Sequence, residues 1–128
     1  MRNLVAGGAG FIGSHIIDKL MNLGEYVICL DNLISGNFNN VKKWADYPNF
    51  LFLEHDIVNA IDLKVDRIWH FSCPASPAKY QADPIKTLNV CFNGTYNLLE
   101  LAKNNNAKLF RNSKQNEEKY PSNKKKFP

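Results

Sequence analysis

Along this chain, short apolar runs alternate with longer stretches in which apolar residues return every three or four positions. Residues 3–6 form an apolar run that ends at a glycine cluster, as a buried parallel strand does before it turns into a helix. Over residues 11–23, Ile12, Ile16, Leu20 and Leu23 fall at helical spacing and Gly24 follows, predicting an amphipathic helix with a glycine past its end. Residues 26–30 read as a second buried strand closing at Asp31; a polar, asparagine-rich loop follows, with a short helix expected at residues 41–45. Residues 50–53 and 67–71 supply a third and a fourth strand. Three prolines stiffen residues 74–84, after which Ile85, Leu88, Phe92, Leu99 and Ala102 recur at helical spacing, interrupted by Gly94, and predict a second long helix. Residues 107–110 begin a fifth strand.

Candidate chemistry concentrates at the first strand-to-helix junction. Gly8, Gly10 and Gly13 make a G-x-G-x-x-G pattern there, and Asp31 ends the following strand eighteen residues past Gly13. Glycine permits the tight turn, a bare backbone lets a pyrophosphate approach, and the helix start offers unpaired N–H groups with partial positive charge. Asp31 is placed to accept hydrogen bonds from ribose hydroxyls and to repel a 2′-phosphate, and the nearest basic side chain downstream is Lys42, so NAD is the expected cofactor in preference to NADP. The bland alternative makes these glycines a tight turn and Asp31 a strand end. Alternating strands and helices imply an α/β fold: a Rossmann-type parallel sheet with helices on both faces and right-handed crossovers, incomplete after the fifth strand.

Several further motifs bear a resemblance. Gly7-x-x-Gly10-x-x-Gly13 with Ser14-His15, Asp31-Asn32 with Ser35-Gly36, Asp56-Ile57 and the His70 segment resemble the extended short-chain dehydrogenase/reductase family of nucleotide-sugar enzymes. Cys73-Pro74-Ala75-Ser76-Pro77, with Tyr80 and Asp83-Pro84-Ile85-Lys86-Thr87, is similar to its UDP-glucuronic acid decarboxylase branch. The resemblance implies that Gly10, Phe11 and Ile12 lie along the pyrophosphate of NAD and that Asp31, Asn32, Ser35 and Gly36 surround the adenosine ribose. It also puts Asp56 and Ile57 beside the adenine, Phe71 and Cys73 on the nicotinamide side, and residues 74–80 along the sugar. A complete enzyme of that branch would convert UDP-glucuronate to UDP-xylose, with the nucleotide sugar as its second partner.

The same resemblance implies a catalytic Tyr assisted by a Lys four residues later, and a Ser or Thr just after the fifth strand. Here the fifth strand runs into a polar stretch before that segment begins. Tyr120 and Lys124 match the spacing formally, but they lie ten or more residues past Phe110, beside Pro121 and three consecutive lysines, as a solvated tail would. Ser113 has a similarly weak claim, so no catalytic residue is assigned. Cys91 replaces the family's Asn ahead of Gly94-Thr95, Asn89 stands where Lys is usual, and Ala6 replaces a Thr. His15, His55 and His70 share no ligand spacing, so they are expected to be structural and no metal site is assigned; Phe50, Phe52 and Trp69 are expected in the core.

Charge separates the chain into two parts. Of sixteen Lys and Arg and twelve Asp and Glu, residues 111–128 hold six and two, leaving residues 1–110 neutral. A neutral body argues against nucleic-acid binding. The organisation expected is an NAD-binding portion over residues 1–110 and a basic tail over residues 111–128, disordered because it cannot bury enough surface to offset its ordering entropy. Three widely spaced cysteines, no secretory leader and no apolar run of membrane-spanning length lead to a cytoplasmic expectation. Two functions remain open: the NAD-binding portion of a decarboxylase-like enzyme, inactive alone, or a non-catalytic NAD-binding module or truncated relic. In either case association with another chain, as a homo-oligomer or through the exposed sheet edge, is expected.

Overall fold

The computed structural model describes residues 1–72 and 83–111. Cys73, residues 74–80, Ser113, Tyr120 and Lys124 lie outside them. Five strands form one parallel sheet: β1 (Arg2–Ala6), β2 (Tyr26–Asp31), β3 (Phe50–Glu54), β4 (Arg67–His70) and β5 (Lys108–Arg111), in the order β3-β2-β1-β4-β5. Among the described residues two α-helices, α1 (Phe11–Asn22) and α2 (Pro84–Asn105), lie on opposite faces. Arg111, assigned from sequence to the tail, extends β5 and pairs in register with His70.

Strand alternation builds both layers. Leu4, Ala6, Ile28, Leu30 and Ile68 face α2 and pack on Leu98, Leu101 and Ala102. Val5, Val27 and Cys29 face α1 and pack on Ile17, Leu20 and Met21. Burying one such aliphatic side chain contributes about 1.5–3 kcal/mol, so this double layer is the main source of stability. Phe50 is buried as expected, Phe52 and Trp69 are half-buried against the α1-side core, and Trp69 also stacks on Phe110 at 4.6 Å. Asn3 is fully buried in β1, where its oxygen accepts from Trp69 Nε1 and its amide donates to Glu25.

The short helix expected at residues 41–45 is present as a 3-10 turn, Lys42–Trp44, and a second 3-10 turn, Phe38–Asn40, precedes it. Two expectations about helix faces are corrected. The residues that mark α1 by period are only in part its buried face: Leu20 is buried and Ile16 packs on the core, but Ile12 and Leu23 are exposed, and Gly13, Ser14, Ile17 and Met21 complete the buried side. The same holds for α2: Ile85, Leu88, Phe92 and Leu99 face away from the sheet, and of the periodic set only Ala102 is buried. The sheet side of α2 carries Thr87, Gly94, Leu98 and Leu101 instead. Helix ends follow the local signals, with Gly24 at φ 77° after α1 and Asp83 accepting from Lys86 N ahead of Pro84.

His70 ends β4 as a buried imidazole. Its Nε2 lies 2.9 Å from Thr95 Oγ1, and Ser72 N donates to its Nδ1 at 3.4 Å. Burial, with Arg111 as the lesser cause, pushes its pKa down from the ordinary 6.5 to about 4. The folded chain therefore binds fewer protons than the unfolded chain between those two values, and stability is lost as pH falls through that window by at most about 1.4 kcal/mol per unit from this group. Urea melts between pH 7 and 4 should show this decline, and His70→Gln should flatten it; an unchanged slope in the variant would remove His70 from the account.

Candidate functional site

The glycine-rich turn leaves β1 at the point where the strand order reverses, with β2 on one side and β4 on the other. In open α/β sheets this is where a crevice forms past the carboxyl ends of the strands. Gly7 adopts φ 78°, and a Cβ there would come within 2.7 Å of the Phe71 carbonyl, so the end of β4 closes directly over the turn. A Cβ on Gly13 would lie 2.3 Å from the Gly7 oxygen, so that helix residue lets α1 start hard against the turn. No side chain caps α1 and its first turn holds no acid. Its opening amides precede the first helix bond, from Ser14 N to Gly10 O, leaving a helix start suited to an anion.

Asp31 fixes the other wall. Its buried carboxylate accepts from Ala9 N at 3.0 Å through Oδ2 and from Leu33 N at 2.8 Å through Oδ1. Gly36 lies so close that a Cβ would meet Oδ2 at 2.7 Å. Asn32 Oδ1 accepts from Ile34 N, which turns the loop through Leu33 at φ 62° and leaves Ser35 exposed. Carboxylate oxygens have about four acceptor directions, so these bonds orient Asp31 without exhausting it.

Gly7 and Gly10 thus lie in the turn after β1, Phe11, Ile12 and Gly13 in the first turn of α1, Asp31 at the end of β2, and Asn32, Ser35 and Gly36 in the loop that follows it. Phe11 and Ile12 stand exposed at the start of α1, with the Phe11 ring edge-on to His15. Asp56 and Ile57 lie past β3, where Asp56 Oδ1 accepts from Val58 N; the Ile57 side chain is buried in the α2-side core, so only its backbone is left to border a ligand. Phe71 packs against the α1-side core. Sequence reasoning missed Ala9, whose amide holds Asp31 and whose carbonyl accepts from Asn37 N and the Asn40 side chain. An alanine acting only through its backbone leaves no signal in side-chain chemistry.

Cys29 is a buried thiol whose pKa is pushed up to about 12, chiefly by burial and secondarily by Asp31, which makes it inert. Among the described residues no His, Cys, Asp or Glu group could hold a metal ion, and no helix is long and apolar enough to cross a membrane.

A parallel Rossmann-type sheet with a glycine-rich turn at its switch point and an acid at the end of its second strand defines a nucleotide-fold protein. The chain belongs to the family described as GDP-mannose 4,6 dehydratase, whose model matches residues 4–117. It is 46% identical over 110 residues to UDP-glucuronic acid decarboxylase 3 of Arabidopsis thaliana, covering 85% of this chain and 32% of that one. It is 46% identical over 108 residues to UDP-glucuronic acid decarboxylase 1 of Danio rerio, covering 84% and 26%. The chain therefore spans a third or less of these curated relatives' length. Among solved structures it resembles a dTDP-glucose 4,6-dehydratase from Streptomyces venezuelae with NAD bound, with a TM-score of 0.75, 32% identity and coverage of 84% of this chain and 37% of that one.

The turn's geometry separates two kinds of glycine. Gly13→Ala should cost more than Gly24→Ala, because the first drives a Cβ into backbone while the second meets nothing within 4 Å and bears only left-handed strain of about 1 kcal/mol. Chemical denaturation of the two variants checks this, with equal losses counting against the close approach.

Proposed function

We propose that this chain is the NAD-holding part of a UDP-glucuronic acid decarboxylase-like nucleotide-sugar enzyme, acting on UDP-glucuronate only within a complete enzyme and inactive alone. The observation that carries this is the Asp31 carboxylate, buried beside a glycine turn and an uncapped helix start, a cradle shaped for a dinucleotide. Gly10, Phe11, Ile12 and Gly13 would line the pyrophosphate. Asp31, Asn32, Ser35 and Gly36 would hold the adenosine ribose, Asp56 and Ile57 the adenine, and Phe71 and Cys73 the nicotinamide side. Held there, NAD would supply reversible hydride acceptance at the sugar's C4, the redox chemistry that a decarboxylation through a keto sugar needs. The residues of this chain bind and orient; among the described residues no Tyr precedes a Lys by four positions, so none is given a proton-transfer role.

NAD over NADP follows from charge. Lys43, a cation near the loop, is paired with Asp18 at 3.2 Å, and Asp31 would repel a 2′-phosphate. A cytoplasmic setting belongs to this reading, in keeping with the free thiols of Cys29 and Cys91. Calorimetric titration should find NAD bound more tightly than NADP by about tenfold or more, with Asp31→Asn and Asp31→Ala narrowing the gap. Tighter NADP binding to the unmutated chain would overturn it.

A second reading, a non-catalytic NAD-binding module that associates with another chain, is favoured by one observation. Ile85, Leu88, Phe92, Tyr96 and Leu99 make an exposed apolar stripe on α2, and among the described residues β5 is the outermost strand on its side of the sheet, with Phe110 exposed. Sedimentation should then show mass rising above the monomer with concentration, and Phe92→Lys should return the chain to monomer. A concentration-independent monomer for the unmutated chain would dispose of this reading.

A further inference from the structure

The connection between β3 and β4 carries no helix of its own. α2 holds it at both ends through asparagines eight residues apart. Near the amino ends of the strands, Asn105 donates to Leu63 O at 2.8 Å and accepts from Val65 N at 3.2 Å. Near the carboxyl ends, Asn97 Nδ2 donates to Ile57 O at 2.8 Å. One turn earlier, Gly94 leaves a notch that the Ile57 side chain fills, since a Cβ on Gly94 would sit 2.3 Å from Ile57 Cδ1 and 2.5 Å from Cγ1. Between these two residues, Thr95 Oγ1 meets His70 Nε2 at 2.9 Å. Because Ser72 N donates to His70 Nδ1, the neutral ring carries its proton on Nε2 and donates it to Thr95.

We infer that residues 94–97 of α2 form a brace that sets both rims of the cofactor site, the β3 exit through Ile57 and the β4 exit through His70, making Asn97 and Thr95 positioning residues for NAD. The inference rests on the NAD-binding reading above. Apolar packing of Leu98, Leu101 and Ala102 already fastens α2 to the sheet, so polar ties are not needed to hold the helix. Their effect is directional. Beside Ile57, the Asp56 turn is closed by Val58 N and Asn59 N, and His55 N donates to the main-chain carbonyl of Asp31, so a shift at residue 57 reaches the backbone that carries the Asp31 carboxylate. Past His70, Phe71 N donates to Ala6 O and the Phe71 carbonyl covers Gly7, so a shift at residue 70 reaches the glycine turn.

The experiment compares Asn97→Ala, Thr95→Val and Thr95→Ser with Asn105→Ala, which removes an equivalent asparagine at the far end of the same connection. Amide hydrogen exchange on the free chain should quicken at Val58 and Asn59 in Asn97→Ala and at Phe71 and Ser72 in Thr95→Val, with β1 and α1 unchanged. NAD affinity should fall by roughly tenfold in each of these two, be restored in Thr95→Ser, and be unmoved in Asn105→Ala. Exchange that quickens everywhere, or affinity that falls equally in Asn105→Ala, would overturn the brace and leave only packing. If the unmutated chain binds no NAD, the NAD-binding reading fails by itself, and the exchange pattern alone decides whether the brace exists.

Discussion

The arrangement depends on one buried carboxylate. Asp31 ends β2, yet its oxygens accept from Ala9 in the turn after β1 and from Leu33 in its own loop. A buried charge is costly unless hydrogen-bonded, and these amides offset that cost only while the two segments stay in register. The bonds thereby convert a strand pairing, Ala6 beside Leu30, into a fixed relation between two loops. Ala9 passes the constraint on, since its carbonyl gathers Asn37 N and the Asn40 side chain and ties the first 3-10 turn back to the glycines. The same carboxylate thereby builds the wall in which it sits.

Steric closeness does for the β4 side what hydrogen bonding does for the β2 side. Gly7 in the left-handed region lets the backbone at residue 71 lie over the turn, and His70 just before it is held by α2. The site is lined largely by backbone on both walls. Such a lining asks for glycine at a few positions and leaves side chains elsewhere free to vary.

Element order, the glycine turn and Asp31 were legible in sequence because each rests on a local pattern: a run, a spacing, a strand end. Helix faces were not. An apolar period marks a stripe but not which stripe meets the sheet, and in both helices the sheet side is made partly of small or polar residues, Gly13 and Ser14 in α1, Thr87 and Gly94 in α2. These permit close approach, which a count of apolar residues scores as nothing. The short helix at residues 41–45 was legible, but the 3-10 turn before it was not: Asn37 caps Phe38–Asn40 and Val41 is fully buried between the two turns, so an asparagine cap and tertiary burial shape a segment with no helical period.

Asparagine is where the sequence was quietest and the structure most dependent. Asn3, Asn40, Asn97 and Asn105 each bond backbone or a side chain in another element or turn, and Asn37 caps the 3-10 turn that follows it. Nothing in composition sets them apart from the other asparagines, since a polar residue shows its role only once its partner is known. The helixless β3–β4 connection makes the point. A parallel crossover of this length usually buries its backbone polar groups by forming a helix, and here side-chain amides of α2 satisfy part of that demand from outside. The connection thus crosses the sheet face without a helix, and the tie at its β3 end also fixes where Asp56 and Ile57 can stand.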